Sequence, residues 1–164
     1  WGASFAADSV SSQLKAQEIT LPAATGNADE SADVTAYFKA HGDKLMTTGK
    51  DAQMYADHYI GFHMSNMPTY AEASNANRAA AAALAANPND GALKADAAAK
   101  AATVETVFKG NMLRGTLLTA YAFGTLGDIA GYAAMAALIG ALVMFVLTIA
   151  GVAHLRRTED GAMI

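Results

Sequence analysis

The chain has 164 residues, of which 53% are hydrophobic, with a formal net charge of −4 and no cysteine. Mild, dispersed acidity argues against a nucleic-acid-binding surface, which would gather Lys and Arg into a patch. The lack of thiols excludes structural disulfides, a cysteine-linked lipid anchor and thiolate metal sites, without naming a compartment.

The first residues, "WGASFAADSVSSQLKAQEITLP" (1–22), read as a helix leaving a membrane surface. Phe5, Val10 and Leu14 are its larger apolar residues, and Thr20 and Pro22 form its stop. Because the chain opens on Trp1, either a cleaved signal peptide or a first membrane helix with Trp1 at its outer end is expected upstream.

Residues 23–114 read as a small outer helical domain. The stretch from Ala23 to Gly49 is polar and glycine-containing, a loop with at most a short helix from Val34 to Lys39. In "KDAQMYADHYIGFHMSNMPTY", the residues Ala52, Tyr55, Ala56, Tyr59, Phe62 and His63 fall at helical spacing, and Pro68 ends the run. Thr69 and Glu72 fit a capping box that opens another helix, "YAEASNANRAAAAALAA", closed by the turn "NPND". Alanine favours a helix but buries little area, so this run and "KADAAAKAA" predict an exposed hairpin with a thin core.

A last helix carries "VETVFKGNMLRGTLLTAYAFG", through a segment entering the membrane (115–128), into a span at 129–153. Kinks are expected at Gly110 and Gly115. No Asp, Glu, Lys, Arg, His, Asn or Gln appears from Ile129 through Ala153. A bilayer core about 30 Å thick needs only about 20 apolar residues. A soluble core helix of this length would show a polar stripe, so the segment is read as a membrane span. His154, Arg156 and Arg157 follow in a short tail (154–164), and by the positive-inside rule this end anchors in the cytoplasm. Tyr121, Phe123 and Tyr132 suit an outer aromatic belt, which places the N-terminal bulk outside the cell membrane. With no alternating β pattern anywhere, the expected class is an all-α membrane protein.

Three groups of residues bear on function. Met54, His58, His63, Met64 and Met67 are the metal candidates, since thioether and imidazole ligands suit Cu(I). On a regular helix, however, His58 and His63 lie about 140° apart, and methionine commonly fills cores. Structure is therefore preferred, and no metal or other cofactor is expected. Gly127 and Gly131 form a G-x-x-x-G step, repeated in spacing by Ala136 and Gly140, and small residues of this kind let membrane helices approach closely. Arg114 and Asp128 flank the membrane entrance, where a charge that reaches water is the plain reading. The nucleophile, phosphate-loop and His-Glu-x-x-His signatures are all lacking, so no enzyme is expected.

Through "VSSQLKAQEITLP", "YADHYIGFH", "TYAEAS", "NPND" and "TVFKGNMLRGTLL", the chain resembles a family of small actinobacterial membrane proteins of uncharacterised role. The resemblance implies a hairpin of two transmembrane helices flanking an extracytoplasmic helical domain, with the first helix before Trp1. The Ala-rich stretch from Ala79 to Ala86 departs from shorter members. Such sequences often carry the label of aromatic ring-opening dioxygenase. That chemistry needs two His and a carboxylate on one cavity, whereas His58 and His63 diverge and His41 stands in a glycine-flanked loop. The expected function is a non-catalytic accessory subunit packed among integral membrane protein subunits and lipid. By association with such proteins, the respiratory cytochrome bcc–oxidase assembly is one candidate host. The alternative is an extracytoplasmic copper- or lipid-binding protein.

Overall fold

The computed structural model describes residues 2–161, and the expectation about Trp1 lies outside them. Seven helical elements follow one another: α1 (Gly2–Ala16), α2 (Ala32–His41), α3 (Gly49–Met54), a π-helical turn (Tyr55–Ile60), α4 (Gly61–Ser65), α5 (Tyr70–Ala86) and α6 (Gly91–Gly161). There is no strand among the described residues, only an isolated bridge between Thr20 and Leu45.

α1 closes at Ala16, earlier than Thr20, because the chain reverses at Glu18, whose φ of 52° is left-handed. That reversal turns the next residues onto the 43–46 segment, where Met46 N donates to Ile19 O at 2.9 Å and Leu21 N to Lys44 O at 2.9 Å. α2 outgrows the expected short helix. Ser31 caps it through Val34 N, and Phe38 gives it one fully buried anchor. Gly42 ends it where nothing larger fits, since a Cβ would stand 2.6 Å from the Cα of Ala23.

Thr48 and Asp51 form a reciprocal capping box at the start of α3, and Thr69 and Glu72 form the expected one at the start of α5. After Pro68 and the 87–90 turn, α5 folds back on α6, sharing a core of Ala73, Ala80 and Val107. Tyr70 and Phe108 add a ring contact at 6.2 Å.

α6 organises the molecule. Its 71 residues run past Gly110 and Gly115 without interruption, for about 105 Å at 1.5 Å per residue. Around Leu117 it receives α1 and α3, and together with α2 and the segments between these helices they bury Val10, Leu14, Leu21, Phe38, Met46, Ala52 and Met54 in one cluster. The connected helix of α3, the π turn and α4 lies antiparallel to α6. Gly49 meets Tyr121 and Gly124, Gly61 meets Arg114, and Met64 lies over Gly110. Past this head, α6 continues alone. From Tyr132 to Arg157 every residue is exposed, and this is the one helix among the described residues long and apolar enough to cross a membrane.

Candidate functional site

The strongest local departure from regular structure is the π turn, a conformation that is rare and often accompanies functional sites. It interrupts the regular α-helix on which the 140° separation of His58 and His63 rests. Both histidines are nevertheless committed elsewhere. His58 Nδ1 lies 3.2 Å from Glu30 Oε2, tying the 22–31 loop to the turn, and His63 Nδ1 donates to Tyr59 O at 2.7 Å. Tyr55 stacks on Tyr59, and the His63 ring tilts against Tyr59, with ring centroids 5.1 and 4.4 Å apart. Burial and the neighbouring Tyr59 raise the Tyr55 hydroxyl's pKa above its ordinary value.

The methionines do not join the histidines. Met54 is buried in the core, Met64 covers Gly110 on α6, and half-buried Met67 lies in the loop after α4. Among the described residues no three His, Cys, Asp or Glu side chains gather as a metal would require. On the side facing α6, Asp57 Oδ1 accepts from Arg114 at 3.1 Å. The charge read as reaching water at the membrane entrance is therefore half of an ion pair between helices. Both partners are partly exposed, so the pair contributes at most about 1 kcal/mol.

Asp51 is the other ionised hub. Its carboxylate accepts from the Tyr37 hydroxyl at 2.7 Å and from the N–H groups of Thr47 and Thr48 at 3.1 and 3.0 Å. His41, stacked on Tyr37 at 4.2 Å, stands 3.7 Å from it. Burial pushes Asp51 upward, but the bond from Tyr37 and those from Thr47 and Thr48 outweigh it and hold the carboxyl below its ordinary range. Burial, the bond to Asp51 and its charge all raise the Tyr37 pKa. The Asp51 carboxylate is saturated by its own neighbours and works as a clasp between α2 and α3.

The second region is the seam where α1 and α3 meet α6 next to its uncovered apolar stretch. Gly49 and Gly124 cross here, and a Cβ on Gly124 would lie 3.3 Å from the Gly49 Cα. Neither glycine stood out in the sequence, because they belong to distant segments and only Gly127 and Gly131 form a recognisable step. Of the predicted packing residues, Gly127 is buried beside α1, Gly131 is half-buried, and Ala136 and Gly140 are exposed. A Cβ on Gly140 would meet nothing within 4 Å. The small residues are thus split between the seam within the chain and an open helix face. Arg156 and Arg157 are exposed near the far end of α6.

Along one side of the seam runs an apolar groove of about 520 Å³ between α1 and α6, with no charged residue in its lining. On the other side of α1 a second groove has charged residues in its lining, Asp8, Lys15, Lys50 and Asp128. Comparison with protein-family models, with curated proteins and with solved structures finds no match to this chain.

Proposed function

We propose that the chain is a non-catalytic accessory subunit of a larger membrane complex, with a helical head outside the cell and α6 crossing the bilayer at 129–153. The observation that carries this reading is the continuity of α6. One helix forms the backbone of the head around Leu117 and then runs on as an uncovered apolar rod. In water so large an exposed apolar surface is a liability, whereas in a bilayer lipid and neighbouring helices cover it. A break between head and span would let the head swing. An uninterrupted helix holds it at a set height and angle over whatever the span packs against.

Arg156 and Arg157 support a cytoplasmic C-terminus, and Tyr121, Phe123 and Tyr132 support an outer interface at the other end. The non-catalytic reading is supported by the pairing of Asp51 with Tyr37, of His58 with Glu30 and of Arg114 with Asp57 inside the head. The resemblance to actinobacterial membrane proteins makes the respiratory cytochrome bcc–oxidase assembly the first host to test. The alternative of lipid binding is favoured by one observation, the apolar groove beside α1, and is developed below.

The test is co-purification in a mild detergent. Gly140 has open space around it, so Gly140→Leu disturbs nothing within this chain, yet a bulky side chain there keeps a partner helix away. Gly140→Leu is expected to lower partner recovery about tenfold, equivalent to about 1.4 kcal/mol. Leu142→Phe, about 200° around the helix, should retain the partner. Equal recovery for both variants would contradict packing through this face.

A further inference from the structure

The groove between α1 and α6 has a polarity that runs along its length. At its membrane-side end stand Phe5, Phe123, Leu126 and Ala130, and the three larger ones are mostly exposed. At the end nearer the head core, next to buried Leu14 and Leu117, stand Gln13, Gln17 and Thr116. Gln13 Nε2 already donates to Ser9 Oγ at 3.1 Å, which leaves its amide oxygen to accept. Every lining side chain is uncharged, although Asp8, Lys15 and Asp128 lie on the other side of α1.

We propose that this groove binds a neutral lipid drawn partly out of the outer leaflet, its hydrocarbon chain against Phe5, Phe123 and Leu126 and its uncharged polar head at Gln13, Gln17 and Thr116. Three observations select this occupant. The apolar end, at Ala130, runs directly onto the exposed surface of the 129–153 segment, so a chain in the groove is continuous with hydrocarbon below. The order of polarity matches that of a leaflet lipid, head away from the membrane and tail toward it. A charged headgroup would find no counter-charge in the lining and would lose hydration without return. The volume lies within the range of about 300–1,000 Å³ typical of small-molecule sites. The stretch from Thr116 to Ala130 offers about 21 Å of length to an extended chain.

The inference rests on the membrane reading of α6, and one experiment separates the two. The full chain is reconstituted into phosphatidylcholine vesicles carrying a diacylglycerol with a photoreactive group in its acyl chain. Cross-linked residues are mapped by peptide mass spectrometry. Labelling is expected on Phe5, Phe123 and Leu126 as well as along 129–153. Phe123→Glu, which puts a charge under the tail, should reduce the groove labelling about tenfold. Ala122→Glu, exposed and outside the groove, should leave it unchanged. Labelling confined to 129–153 would overturn the lipid site while leaving the membrane span standing. Labelling at neither place would overturn the membrane reading itself. Groove labelling that persists in Phe123→Glu, or that an anionic phosphatidic acid probe matches, would also overturn the assignment to a neutral lipid.

Discussion

Gly124→Leu is expected to destabilise the head by about 2 kcal/mol, the range typical of forcing extra carbons into a packed contact. At this crossing the neighbours of a new Cβ are the Cα of Gly49 at 3.3 Å and its N at 3.6 Å, backbone atoms that cannot rotate aside. The start of α3 must retreat from α6, and it carries the Thr48–Asp51 box and the buried residues Ala52 and Met54. Replacing glycine in a helix interior would otherwise stabilise by about 0.5–1 kcal/mol. Gly115→Leu, where nothing lies within 4 Å, should therefore be neutral or mildly stabilising. Thermal unfolding in detergent, followed by circular dichroism, reads both variants. Equal melting temperatures would mean the crossing is looser than its geometry.

Asp51→Ala is expected to cost about 3 kcal/mol, because it strands a half-buried hydroxyl and two N–H groups at once. Tyr37 loses its acceptor, and the Thr47 and Thr48 N–H groups lose theirs where α2 meets α3. The same clasp gives a pH dependence of known sign. The folded state holds the Asp51 carboxyl below the ordinary aspartate value of 3.8, so its contribution is present above that value and is lost as pH falls through the lowered one. The Tyr37 hydroxyl is raised, so its contribution is present below the ordinary tyrosine value of 10.0 and is lost as pH rises through the raised one. In Asp51→Asn the acid limb should flatten. An unchanged acid limb would assign acid unfolding to other carboxylates.

Some of this was legible from residue order, for local reasons. Thr69 and Glu72 stand at capping-box spacing, and the 87–90 turn is rich in Asn and Pro, so α5 and its return onto α6 could be read directly. The long apolar run after Ile129 needed only length and the absence of charge. Thr48 and Asp51 give a weaker signal, because the third helical position holds Asp where the usual box has Glu or Gln, although the geometry is the same. The full length of α2 has no cue in residue order, because a single buried Phe38 makes no periodic stripe. The π turn left no cue in a segment whose apolar spacing suits an α-helix. The Gly49–Gly124 crossing, the Asp57–Arg114 pair and the groove beside α1 depend on which segments meet α6. Residue order states none of these meetings.

The account as a whole depends on α6 carrying the head through to the far side of a membrane. The chain has no cysteine of its own, so single cysteines at Asn89→Cys and Met163→Cys can be probed without background. Intact cells are treated with a membrane-impermeant maleimide, then compared with permeabilised cells. The account predicts that Asn89→Cys is labelled in intact cells and that Met163→Cys is labelled only after permeabilisation. Labelling of Met163→Cys in intact cells, with none at Asn89→Cys, would contradict it.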